Sequence, residues 1–332
     1  MPIVSRPDEF NVEDLYVDLR PVLDAPLYVK CEGLNLAGSI KLKAAAEIVD
    51  AVERDGLLSR DSILVESSSG NLGVAVSMIA ASRGYPFVCV TDTRCNGAAK
   101  RLMETFGARV HTVTQPDPVG GFLSARLAYV QELCAADPRY VWLNQYANPN
   151  NWIAHYRSTA PAVAQRFPDL DVLFVGAGTT GTLMGCARYF RETRSEVTIV
   201  AVDSVGSVSF GGPPGARMIP GLGSGVRPPM LEESFVDDVV LVAEMDAVRT
   251  CHRLAARGFL FGGSTGTVVS GALRWLAEHR PDNATAVALS PDFGERYLDS
   301  VYEPGWVRAM RGPDSLEDPP RTQQFAVSSA HD

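Results

Sequence analysis

The sequence predicts an α/β fold with mostly parallel sheets. Two observations predict it. Short runs rich in β-branched residues alternate with helix-length stretches, and Gly-rich turns separate several runs from the helices that follow. The candidate strands, in chain order, are 62–66 (SILVE), 87–91 (FVCVT), 109–112 (RVHT), 172–175 (VLFV), 198–202 (TIVAV) and 285–289 (TAVAL). Candidate helices between them are 71–82, 97–106 and 182–192. Runs of this kind suit parallel strands covered by helices on both faces.

A chain of 332 residues has room for one large or two moderate domains. Its 46% hydrophobic content is that of a folded globular protein, which sets aside disordered and collagen-like classes. No run reaches the ~18 consecutive apolar residues of a membrane span, so no membrane contact is expected. The opening MPIVSRPDEFNVEDLY lacks a basic region followed by an apolar one, and a cytoplasmic protein is expected. The net charge of −9, spread along the chain, argues against a nucleic-acid surface. Six cysteines form no C-x-x-C pair and have no histidine at ligand spacing, so no metal is expected. Residues 206–230 are rich in Gly and Pro and too long for a plain connection, which suggests a functional or mobile loop. The tail after 312 reads as an ordered end followed by a frayed terminus.

Three turns bear the chemistry. In Asn35-Leu-Ala-Gly-Ser-Ile-Lys41, Ser39 is a candidate N-cap and Lys41 falls in the first turn of the helix KLKAAAEIVDAV. The positive helix end disfavours an ammonium there and lowers the amine pKa, which suits a Schiff-base lysine. A lysine at a helix start is also, commonly, a solvated surface residue. Only Lys30, Lys41, Lys43 and Lys100 could play that part. The second turn, Glu66-Ser-Ser-Ser-Gly-Asn-Leu-Gly73, joins a strand to a helix N-terminus and offers amides and hydroxyls to a carboxylate. The third, Val175-Gly-Ala-Gly-Thr-Thr-Gly-Thr182, could cradle a phosphate by the same physics. It also contains Gly176-x-Gly178-x-x-Gly181 with Asp203 ending the next strand, the pattern of a dinucleotide site. A nucleotide-binding oxidoreductase therefore stays open at this point. Such a site would need neither Lys41 nor the 67–73 turn, whereas one phosphorylated aldehyde would use all three.

Together these stretches resemble the fold-type II pyridoxal-phosphate enzymes, and within them the cysteine synthase (O-acetylserine sulfhydrylase) family. The resemblance runs through 35–43, Ser68-Ser-Gly-Asn-Leu-Gly73, Gln145-Tyr-Ala-Asn-Pro149, Gly178-Thr-Thr-Gly-Thr182, Gly221-Leu-Gly-Ser-Gly225 and Pro291-Asp-Phe-Gly-Glu-Arg-Tyr297. It implies a tryptophan-synthase-β-like pair of α/β domains: a smaller mobile one over 40–150, a larger one from 1–39 and 151–312, and a tail at 313–332. It also implies a homodimer. Lys41 would carry the pyridoxal 5'-phosphate and act catalytically, Asn71 would bond its 3'-oxygen, and Gly178, Thr179, Thr180, Gly181 and Thr182 would hold its phosphate. Ser68, Ser69, Asn71 and Gln145 would bind the substrate carboxylate.

Three positions depart from the family pattern. Leu72 replaces a threonine, Tyr146 stands where Phe is usual, and Asp292 replaces a serine expected near the pyridine nitrogen. An Asp at that nitrogen would strengthen the electron sink; it could equally turn outward. The wording of the 36–45 and 66–75 stretches resembles the 2,3-diaminopropionate-pathway synthases of siderophore and antibiotic biosynthesis. That implies a transferase joining O-phospho-L-serine or O-acetyl-L-serine to the amine of L-glutamate, giving N-(2-amino-2-carboxyethyl)-L-glutamate. The alternative is a cysteine synthase using sulfide. Arg126, with Tyr146 and Thr179, is a candidate partner for a leaving phosphate, though an Arg there also reads as a surface ion pair. Arg217 and Arg227 are candidates for the acceptor's carboxylates. The five histidines form no obvious dyad with Ser or Cys and read as structural or surface residues; His155 follows just after the 145–149 segment.

Overall fold

The computed structural model describes residues 3–118, 120–279 and 284–311; the expected tail from 313 lies outside them. Among the described residues ten strands form two sheets: β1 Tyr16–Asp18, β2 Tyr28–Cys31, β3 Ile63–Ser67, β4 Phe87–Asp92, β5 Arg109–Val113, β6 Tyr140–Trp142, β7 Val172–Gly176, β8 Thr198–Ser204, β9 Asp238–Val242 and β10 Ala286–Ser290. A six-stranded sheet has the order β1-β2-β10-β7-β8-β9, and a four-stranded sheet the order β5-β4-β3-β6. Every pairing is parallel except β1 with β2. The expected α/β architecture with mostly parallel sheets is the one observed.

Both faces of each sheet are covered. In β7 and β8, Phe174, Val200 and Val202 enter one core with Val268, Val269 and Trp275 of the helix Gly263–His279. Leu173, Val175, Ile199 and Ala201 enter the opposite core with Leu183, Met184 and Phe190 of the helix Gly181–Thr193. Alternation thus survives, but both sides are apolar, which is why these strands read as continuous runs. In the smaller sheet Leu64 and Cys89 pack against the helices Lys41–Arg54 and Asn71–Arg83, while Val65, Val88 and Val90 pack under Val130. Each such buried Leu or Val contributes about 1.5–3 kcal/mol.

All six expected strands are present, with bounds shifted by up to two residues, and the three expected helices likewise. Sequence patterning missed β1, β2, β6 and β9. Three of these are only three or four residues long, and β2 contains Lys30, a charged residue that nonetheless is fully buried. Ser39 is not the helix cap. The cap position is Ile40, with no side-chain bond, because Ser39 is drawn into an antiparallel bridge with Asp292. The 206–230 segment forms no helix or strand and runs along the cavity described next.

Candidate active site

The carboxyl ends of β3, β4, β7 and β10 point toward one cavity of 590 Å³, closed on another side by Gly206 and residues 214–229. Clefts at the carboxyl ends of parallel strands are where α/β folds bind ligands, and this volume suits a small molecule. Lys41, the first residue of its helix, is the one lysine among the lining residues. Surrounding protein pushes its amine pKa down, with the Asp292 carboxylate partly opposing that. Lys30 and Lys43 are committed to ion pairs with Glu32, and Lys100 is on the surface.

The 178–182 turn opens onto the same cavity at the start of the Gly181–Thr193 helix. A Cβ on Gly178 would stand 2.6 Å from the Gly221 carbonyl oxygen, so the turn and the 206–230 segment approach as only glycine allows. Thr180 adopts φ +68°, a left-handed conformation that is strained for a β-branched residue and typical of functional turns. Asn151, which the sequence reading did not single out, ties this turn to its neighbour: its Nδ2 donates to Thr179 Oγ1 at 3.1 Å and to the Gln145 carbonyl at 2.7 Å.

At the 67–73 turn, Ser68 Oγ accepts from the Gly70 and Gly73 amides at 3.3 and 2.9 Å, shaping the helix start. Leu72 faces the core, so position 72 offers only its backbone amide. Ser69 Oγ donates to Asp92 at 3.3 Å and accepts from Arg126 Nη1 at 2.7 Å. Arg126 is 8% exposed and lines the cavity, so the reading as a surface ion pair does not hold. Gln145 Nε2 and the Tyr146 hydroxyl both donate to the Ser67 carbonyl, at 2.7 and 3.3 Å.

Asn71 lines the cavity with both ends of its amide held: Nδ2 donates to Asp292 Oδ2 at 2.7 Å, and Oδ1 accepts from Arg296 Nη1 at 2.6 Å. Asp292 itself is not among the lining residues. It sits behind Asn71, takes a 2.6 Å bond from the Tyr297 hydroxyl, and has its pKa raised by burial. Of the two directions the sequence left open for Asp292, the structure has Oδ2 turned to Asn71 and Tyr297, with Oδ1 buried and without a hydrogen-bond partner. The wall beside it carries Ser264, from a Gly-Gly-Ser-Thr-Gly helix start that sequence analysis passed over, and Arg296, which was quoted only as part of a motif. Asp203 is buried, accepts from the Ser204 amide at 2.8 Å, and does not line the cavity, so the dinucleotide reading loses its ribose partner.

A family model described as pyridoxal-phosphate dependent enzyme matches residues 17–292. The chain belongs to this family. Among curated relatives of this pyridoxal-phosphate enzyme, N-(2-amino-2-carboxyethyl)-L-glutamate synthase of Ralstonia nicotianae is 40% identical over 286 residues, 85% of this chain and 84% of its own. The protein of the same name from Cupriavidus metallidurans is 39% identical over 290 residues, covering 86% and 84%. Among solved structures, O-ureido-L-serine synthase superposes with a TM-score of 0.82 at 33% identity, covering 96% of this chain and 98% of that one. An O-acetylserine dependent cystathionine β-synthase from Helicobacter pylori gives 0.85 at 25% identity, covering 91% and 100%. The cofactor is therefore pyridoxal phosphate, and the residues present fit it. A single amine of lowered pKa shares one cavity with a threonine-glycine turn at a helix N-terminus, as a phosphorylated aldehyde requires.

Proposed function

We propose that this pyridoxal-phosphate enzyme joins an O-activated L-serine to the amine of L-glutamate, giving N-(2-amino-2-carboxyethyl)-L-glutamate. The observation that carries the reading is that the Lys41 amine, the 178–182 turn and the buried Arg126 all line one cavity. When bound, pyridoxal phosphate supplies the sink for the electron pair left at the substrate α-carbon. Lys41 would hold the cofactor covalently until the substrate's amine takes its place, and the amine so freed would take the α-proton and return it at the end. A depressed pKa keeps part of that amine neutral for the task. Asn71, Gly178, Thr179, Thr180, Gly181 and Thr182 hold the cofactor, with Asp292 acting through Asn71. Gln145, Asn71 and the Ser68–Ser69 turn receive the substrate carboxylate.

Arg126 favours phosphate as the leaving group. Its guanidinium is buried at the wall of the cavity that Thr179 and Tyr146 also line, where a charged donor is strongest. The acceptor follows from charge. Arg94, Arg126, Arg217, Arg227 and Arg296 line the cavity against a single lining acid, Asp92. An acceptor with two carboxylates suits that balance, and sulfide has no use for it. Closure of a smaller domain, 40–150, over the rest would exclude water. A cytoplasmic homodimer completes the proposal.

The test incubates the holoenzyme with O-phospho-L-serine or O-acetyl-L-serine, each with glutamate or sulfide, and weighs the products. Expected is the glutamate adduct with release of inorganic phosphate. Cysteine from sulfide, with no glutamate adduct, would overturn the proposal in favour of a cysteine synthase.

A further inference from the structure

A line of buried side chains, unconnected in sequence, runs from an ion cluster to the cavity wall. Lys30, Glu32, His155 and Thr159 are 0% exposed, and Lys43 and Thr182 are 8% exposed. Lys43 Nζ pairs with Glu32 Oε2 and Glu13 Oε2, both at 2.6 Å, and donates to Thr159 Oγ1 at 3.1 Å. Lys30 Nζ completes the cluster at 2.6 Å from Glu32 Oε1. Burial pushes the Glu32 carboxyl up, but the Lys43 and Lys30 ammoniums outweigh it and hold it down at about 2. From Thr159 Oγ1 the line continues to His155 Nδ1 at 3.0 Å, and from His155 Nε2 to Thr182 Oγ1 at 3.2 Å. Thr182 lines the cavity at the end of the 178–182 turn.

Donor chemistry gives this line a direction. An ammonium only donates, and the three protons of Lys43 meet three acceptors. Thr159 therefore accepts from Lys43, and its own hydroxyl proton is left for His155 Nδ1. Burial, and then the Lys43 charge, lower the His155 pKa to about 3, so the imidazole is neutral. With Nδ1 accepting, its one proton is on Nε2 and goes to Thr182 Oγ1. Thr182 then keeps its own O–H proton for the cavity. The reverse arrangement, with Nδ1–H donating to Thr159, would give Thr159 two incoming donors and leave its hydroxyl proton without an acceptor among its bonded neighbours.

We propose that Lys43 is a positioning residue for the cofactor's phosphate: its ammonium sets the direction of hydrogen bonding through Thr159 and His155, so that Thr182 presents its hydroxyl proton to an anion in the cavity. The inference rests on reading the 178–182 turn as the place of that phosphate. It couples the helix that begins with Lys41 to the helix that begins at the phosphate turn, the two ends any bridging cofactor must span.

The test is nitrogen NMR of ¹⁵N-histidine-labelled holoenzyme, with the His155 signals assigned by their loss in His155→Asn, alongside phosphorus NMR of the bound cofactor. Expected in the wild type is the Nε2–H tautomer, unchanged from pH 6 to 8. Lys43→Met should mix the tautomers, move the phosphorus signal and weaken cofactor binding roughly tenfold. Lys43→Arg, which keeps the donors, should restore all three. Thr159→Val cuts the line and leaves both carboxylate partners of Lys43 in place; it should also move the phosphorus signal and weaken binding, and it serves if Lys43→Met does not fold. An Nδ1–H tautomer in the wild type overturns the inference alone, as do unchanged phosphorus signals and affinities in the folded variants. A wild type with no bound cofactor phosphorus signal overturns the functional reading as well.

Discussion

Arg126 Nε lies 3.2 Å from the carboxylate of Asp92, and both side chains are nearly shielded from solvent, 10% and 1% exposed. The pair comes from different elements: Asp92 ends β4, and Arg126 projects from the helix Gly121–Ala136. Asp92, itself on the cavity wall, therefore holds the guanidinium at Nε, while Nη1 reaches Ser69. A charge held in this way is pre-organised for an incoming anion.

Arg126→Lys keeps the charge but loses the planar fork. It should lower kcat/KM for O-phospho-L-serine by about a hundredfold, and for O-acetyl-L-serine by no more than a few-fold. The ratio of the two in steady-state assays checks this. Arg126→Leu should in addition destabilise the fold by about 2 kcal/mol, since the buried Asp92 loses one of its two guanidinium partners and keeps Arg94.

Lys41→Ala removes the one lysine among the described residues of the cavity wall. Reconstituted with pyridoxal phosphate, it should lack the visible absorbance band of the covalently bound cofactor and show no product formation. A wild-type spectrum in the variant would place the covalent link elsewhere. Lys41 touches Asp292 only through long-range attraction, so the variant should fold, with a urea midpoint close to that of the wild-type apoprotein.

Much of this site was legible because its parts are local. Lys41 at a helix start, and the 67–73 and 178–182 turns between a strand and a helix, carry their meaning within about eight neighbouring residues. What was not legible depends on distance along the chain. Lys30 is buried because Glu13 and the Tyr16 ring, from an earlier segment, close over it. Arg126 reads as a surface residue until Asp92 and Ser69 arrive from the other side of β4 and β3. Asp292 could not be placed from sequence, because its direction is decided by Asn71, 221 positions away. Ser39 was misread as a cap for the same reason: its competing partner is Asp292.

Glu66 is fully buried at the end of β3, where its carboxylate accepts from the Ser67 and Gln145 amides at 2.7 and 3.0 Å. Burial raises its pKa to about 7, against the lowering effect of those amides. Between its ordinary value and about 7 the folded protein holds a proton that the unfolded chain has released. Stability therefore falls as pH rises through that window, by a total on the order of 3 kcal/mol. Glu66→Gln cannot ionise and should lose about 1 kcal/mol at pH 5, where one amide is left without an acceptor. Its stability relative to the wild type should then improve steadily toward pH 8. Urea denaturation at the two pH values measures the difference, and a constant offset would show that Glu66 does not titrate there.

Thr180 is the last case, and it sets stability against binding. Its φ of +68° is costly for a β-branched side chain, and its hydroxyl is turned to the Thr179 carbonyl at 2.7 Å rather than to the cavity. Thr180→Gly removes the strain, which is worth on the order of 1 kcal/mol after allowing for the freer unfolded chain. The urea midpoint of the apoprotein should rise accordingly. Glycine also lets the turn leave the conformation that aims its amides at an anion, so pyridoxal phosphate should bind several-fold more weakly. Opposite signs in the two measurements mark strain that is retained for binding. A variant that is both less stable and equally tight would show that the threonine supports the fold alone.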